Sequence, residues 1–106
     1  MIATKLREMA MLYRTELVNH GGTGPEKMDE NLYVTEEFIK SGKYHNHLVW
    51  CCEQIMKFAD NGSPGSIEVG QQWLGWVQGA MCTLSYYTIN EERQHAISPL
   101  AEMSED

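Results

Sequence analysis

Basic residues are scarce in the second half of this chain. Of its 106 residues, eight are Lys or Arg and fifteen are Asp or Glu, for a formal charge of −7. The imbalance is uneven. Residues 1–50 set six basic residues against seven acids, whereas from residue 51 onward only Lys57 and Arg93 oppose eight acids. A nucleic-acid binder carries a basic stripe or patch, so its lack excludes nucleic acid as the expected partner. Acidity on this scale is read as a solubility feature ahead of DNA mimicry.

Charge is missing altogether between Glu68 and Glu91, a run of 22 residues. That is long enough to span a bilayer, but Gln71, Gln72, Gln78, Asn90 and three glycines make it too polar for hydrocarbon. It reads as a buried helix, with no membrane partner. Cysteine is sparse and odd in number, at three. Cys51, Cys52 and Cys82 fall in apolar helical patterns, where free cysteine behaves as a small hydrophobe. This suits a reducing cytoplasm. Lys5, Arg7 and Glu8 interrupt the first apolar period, which argues against a signal peptide.

What is present suits a folded domain. Hydrophobic content is ordinary at 42%, and the length fits one domain. A chain this short buries roughly 60–65% of its unfolded surface, so self-association would add usefully to stability. Residues 1–97 are expected to form a single helical domain, with 98–106 a flexible acidic tail.

Apolar spacing predicts an all-α fold, a small bundle of four or five short helices. Ile2, Leu6, Met9, Ala10, Tyr13 and Leu17 form one stripe over residues 2–18, stopped at His20-Gly21-Gly22. Residues 19–30 read as a flexible loop; their glycines lack the Gly-Lys-Ser/Thr ending of a phosphate loop. Residues 31–41 alternate briefly like a strand but have no pairing partner, so a short helix is expected there, closed by Gly42. Residues 43–60 carry Tyr44, Leu48, Cys51, Cys52, Ile55, Phe58 and Ala59 on one face. The short stretch NGSPGS then implies an antiparallel hairpin with a helix over about 66–87, N-capped by Ser66. Thr88 to Glu91 has the form of a capping box and starts a short helix ending near Ile97.

Gly75 and Gly79 are costly in a helix, at about 0.8–1 kcal/mol each relative to alanine. On a wheel they leave the main stripe of Val69, Trp73, Leu74, Val77, Ala80, Met81 and Leu84, and lie with Gln72, Cys82, Thr83 and Trp76. Small residues four apart admit a neighbouring backbone. The cover is a second copy, a further helix of the same chain, or a ligand. A homo-oligomer interface of Gln72, Gly75, Trp76, Gly79 and Thr83 is the leading expectation. Trp50 projects from the polar face of its helix, between Asn46, Glu53 and Lys57. Trp50, Asn46 and Glu53 are therefore the expected partner-binding residues, tryptophan being enriched at interfaces.

Chemistry is harder to find. His45, His47, Cys51 and Cys52 are the one cluster with a metal look, but His20, His95 and Cys82 complete no recognisable ligand set. The His47–Cys51 pair has no orienting third group to make it a nucleophilic dyad. Glu36-Glu37 and Glu91-Glu92 read as solvated surface. The chain is expected to be a non-enzyme with no catalytic residues, no metal and no cofactor.

Trp73-Leu74-Gly75-Trp76-Val77-Gln78-Gly79, followed by Tyr87-Thr88-Ile89-Asn90-Glu91, carries a resemblance. The pattern Trp/His-Leu-Gly-aromatic-Val/Ile-Gln-Gly, then Tyr/Phe-Thr-Ile-Asn/Asp-Glu, is similar to that of small helical accessory proteins of tailed bacteriophages and prophages. It covers about residues 73–95 and implies a setting rather than an activity: the bacterial host cytoplasm, and action on a host or defence factor. Two functions follow as expectations. One is a non-enzymatic protein that binds and modulates a bacterial protein through an acidic, aromatic-bearing surface. The other is an oligomeric sponge for a small nucleotide signal, for which Lys40, Lys43 and Lys57 would supply charge.

Overall fold

In the computed structural model, residues 2–95 are described. They form five helices: α1 (Ile2–Asn19), α2 (Glu36–Lys40), α3 (Lys43–Asn61), α4 (Pro64–Thr83) and α5 (Ile89–Arg93). The chain is an all-α bundle built on the α3–α4 hairpin, with no strand among the described residues. The expected helix end near Ile97 and the tail over 98–106 lie outside the described residues.

The stripe of α1 buries Leu6, Met9, Ala10, Tyr13 and Leu17 against α3 and α4. Ile2, at the start of the helix, is left 53% exposed. The helix ends in a Schellman motif. Gly21 takes φ +117°, the Gly22 amide donates to Leu17 O at 2.9 Å, and the Gly21 amide donates to Val18 O at 3.3 Å.

The loop that follows is tied to α3 rather than loose. Asn46 Oδ1 accepts from the Thr23 amide at 2.8 Å, and Asn46 O accepts from the Glu26 amide at 3.1 Å. The Met28 amide donates to His47 Nδ1 at 3.1 Å. Only Glu36–Lys40 of the expected 31–41 helix forms, because the Thr35 hydroxyl caps it by accepting from the Phe38 amide at 3.1 Å. Gly42, at φ +82°, ends α2 and starts α3.

The hairpin turns two residues earlier than its sequence suggests. Ser63 is the N-cap of α4, with Pro64 in the first turn, where its missing N–H and preset φ are suited. Ser66 does not cap the helix. Its hydroxyl instead donates to Phe58 O at 2.8 Å, satisfying a carbonyl near the end of α3. At its far end α4 stops at Thr83, four residues short of the expected 87. Ser85 holds φ +67°, the Tyr86 amide donates to Met81 O, and the Ser85 amide donates to Cys82 O. This is a second Schellman stop, written with serine where glycine is usual. The capping box of α5 is as expected, with the Glu91 amide donating to Thr88 Oγ1 at 3.0 Å and the Thr88 amide to Glu91 Oε1 at 2.9 Å.

One core joins α1, α3 and α4 through Leu6, Leu17, Leu48, Ile55, Leu74, Val77 and Met81, all fully buried. A close approach occurs at Gly70. A Cβ there would lie 2.8 Å from Leu6 Cδ2 and 3.2 Å from Phe58 Cβ. None of the described helices is long and apolar enough to cross a membrane.

Candidate functional site

On α3, His47, Trp50 and Cys51 share a face by i, i+3, i+4 spacing, and on α4 Trp76 lies one turn beyond both Gln72 (i+4) and Trp73 (i+3). Where these faces diverge towards the loop they leave a groove of about 450 Å³, lined also by Lys27 and Glu30. His47 meets two of its indoles. Its ring stacks on Trp50, with centroids 5.8 Å apart and planes at 16°, and meets Trp76 edge-on at 5.8 Å and 79°. Trp73 packs behind, 5.8 Å from Trp50 and 5.6 Å from Phe58. Trp76 remains 49% exposed. Lys27 reaches in from the loop, its Nζ 5.4 Å from the Trp50 ring centroid and 3.5 Å from Glu30 Oε1.

The electrostatics of the groove floor follow from its hydrogen bonds. Nδ1 of His47 accepts from the Met28 amide, so the neutral ring carries its proton on Nε2, 3.6 Å from Cys51 Sγ. The imidazole therefore presents a donor, not a base, to the thiol. Burial also pushes the Cys51 thiol up to about 12, the reverse of an activated nucleophile. Burial, then the charge of Lys27, hold His47 below its usual range.

A pH effect follows, with a definite sign. A histidine held low favours its neutral form in the fold, so its contribution is complete above about 6.5 and declines as pH falls. Protonation also ends acceptance from Met28. We expect tryptophan emission to change on acidification, with a midpoint below 6.5, and His47→Gln to abolish that transition.

A second polar centre lies away from the groove. Tyr13, Gln78 and Glu92 are fully buried. The Tyr13 hydroxyl donates to Glu92 Oε1 at 2.5 Å, lies 2.7 Å from His95 Nδ1 and accepts from Gln78 Nε2 at 3.0 Å. His95 Nδ1 is itself 2.6 Å from Glu92 Oε1. Burial pushes the Glu92 carboxyl up to about 7 and holds His95 below its usual range. Oε2 of Glu92 has no hydrogen-bond partner among the described residues. Glu92 is thus a core residue and not the solvated surface expected; Glu91 alone of that pair is exposed, in the capping box. The missed signal is Tyr13, a phenol inside an apolar stripe, whose hydroxyl needs a buried partner.

The residues singled out from sequence are redistributed. Trp50 and Trp76, assigned to different interfaces, meet in the one groove, together with Gln72. Trp50 is half-buried there rather than projecting from a polar face. Asn46 is occupied under the loop, where its Nδ2 donates to Glu26 Oε1 at 3.3 Å. Glu53 pairs with Arg14 at 3.2 Å in a separate cleft of about 310 Å³, which Lys57 also lines. Gly75 is half-buried, whereas Gly79 is exposed, with nothing among the described residues within 4 Å of a Cβ built on it. Thr83 is exposed, its hydroxyl donating to Gly79 O at 3.1 Å.

The lysines do not converge. Lys40 pairs with Glu36 at 3.2 Å, Lys43 lines a small pocket of about 160 Å³ beside α2, and Lys57 lies in the α1–α3 cleft. His45 points away from His47, as two residues on a helix must. Its Nε2 lies 2.5 Å from the Tyr86 hydroxyl, and Tyr86 stacks on His20 at 4.0 Å. No three His, Cys, Asp or Glu side chains gather to hold a metal among the described residues.

The fold and the groove define an all-α bundle with an aromatic cleft. No protein-family model, curated protein or solved structure matches the chain.

Proposed function

We propose that this chain is a phage-encoded, non-enzymatic interaction protein that assembles with itself and modulates a bacterial host or defence protein by binding it in the host cytoplasm. The observation that carries the reading is the groove of Trp50, Trp73, Trp76 and His47. Half-exposed indoles around a recess are what interface hot spots are made of, since they contribute large buried area with few torsions to fix. The phage setting rests on the sequence pattern over residues 73–95.

Trp76→Ala is the sharpest test, because an indole 49% exposed is removed with little loss of core. Affinity capture from a bacterial lysate, followed by titration of the purified partner, should show binding weakened tenfold or more at an unchanged melting temperature. Equal capture by wild type and variant would defeat the reading. A co-purifying nucleotide in place of a protein would transfer it to the sponge.

A further inference from the structure

We infer that the groove takes a cationic side chain, an arginine or lysine from a basic segment of a protein partner, and that Lys27 fills that place in the free protein. The inference rests on the groove being the binding surface. Lys27 has water available to it, its side chain being 52% exposed. Nevertheless its Nζ lies over the Trp50 face, 5.4 Å from the centroid and 3.5 Å from a Glu30 carboxylate oxygen. The chain thus displays the kind of ligand its own groove accepts: a cation held between an electron-rich ring and an acid.

The lining agrees. Apart from Lys27 itself, the groove contains Glu30, three indoles, a glutamine, a thiol and a histidine whose neutral form the Met28 amide favours. With the lysine swung out, a negative charge and aromatic faces remain, which suit a cation and repel a phosphate. The chain's charge of −7 would steer a basic segment towards it. Guanidinium fits better than ammonium, being planar, weakly hydrated and able to stack on indole.

The exchange requires no backbone motion. The residues flanking Lys27 are both tied to α3, Glu26 by its amide to Asn46 O and Met28 by its amide to His47. Only the side chain of Lys27 must leave, and it leaves into water. An incoming arginine therefore competes with one exposed cation–π contact and one exposed ion pair.

The test is a tryptophan-fluorescence titration at low salt, using the capped peptide Gly-Arg-Gly-Arg-Gly, the same peptide with glutamate for arginine, and AMP. The wild type should show a saturable change with the arginine peptide and none with the glutamate peptide. Lys27→Ala should bind the arginine peptide about two- to fivefold more tightly, as expected on removing an exposed cation–π competitor. Glu30→Gln and Trp76→Ala should bind it more weakly. The absence of saturable arginine-peptide binding, an affinity unchanged or reduced in Lys27→Ala, or saturation by AMP alone would each overturn the inference. If partner capture still depends on Trp76 when the peptide fails, the groove reading stands and the cation inference falls. If capture is independent of Trp76, both fall.

Discussion

Tyr13→Phe should lower the unfolding free energy by about 2–4 kcal/mol, although it deletes a single oxygen. That oxygen is the node where Gln78, Glu92 and His95 meet. Without it Gln78 Nε2 loses an acceptor, and among the described residues Glu92 Oε1 keeps His95 alone while remaining fully buried. A buried polar group deprived of a partner costs about 1–3 kcal/mol, and more where charge is involved. Urea unfolding of the two proteins measures this directly, and a difference below about 0.5 kcal/mol would refute the role given to Tyr13.

The same centre imposes a pH slope. The Glu92 carboxyl is raised from an ordinary 4.5 to about 7 by burial and, secondarily, by Glu91, against the lowering effect of its bond from Tyr13. A carboxyl raised in the fold contributes stability that is complete below its unfolded value and is lost as pH rises through the folded one. The window is therefore pH 4.5 to about 7, and the loss across it is on the order of 3 kcal/mol. His95, held low by burial, acts in the opposite sense below 6.5. The difference between wild type and Glu92→Gln isolates the carboxyl, and it should favour the wild type progressively less as pH rises. Parallel curves would contradict the assignment.

Gly70 and Gly79 should respond in opposite directions. At Gly70 a methyl group lands on Leu6 and on Phe58 Cβ, and the second of these cannot rotate away. Gly70→Ala gains about 0.8–1 kcal/mol in helix propensity but should still lose about 1 kcal/mol net, because overpacking costs roughly 1–3 kcal/mol. Gly70→Leu should abolish a cooperative thermal transition. Gly79→Ala meets no atom of the described residues and should raise stability by nearly the full propensity gain. Gly79→Leu tests self-assembly. If copies meet at this face, light scattering should show a lower mass, and an unchanged mass would count against that part of the proposal.

Periodicity made the helices legible. The stripes of α1 and α3, the hairpin and the Thr88 capping box can each be read from spacing and side-chain type. The errors share one cause: a wheel describes a helix alone. It set Gly75 and Gly79 apart but passed over Gly70, because only the neighbours Leu6 and Phe58 distinguish a glycine that must be small. It placed Trp50 on a polar face, because nothing in residues 43–60 shows that the Lys27 loop folds back beside it. It also ran α4 on to residue 87, since Ser85 adopts a left-handed conformation that costs a serine about 1 kcal/mol and leaves no glycine to announce the stop. Two tryptophans assigned to two surfaces line, in three dimensions, one groove.

The Tyr13–Glu92 contact spans 79 residues of chain. At about 5–20 residues per second, roughly 4–16 seconds of synthesis separate the two partners. Until residue 92 has been made, the phenol of α1 has no carboxyl to meet. That contact awaits α5, so the short helix Ile89–Arg93 is the element that closes the polar centre.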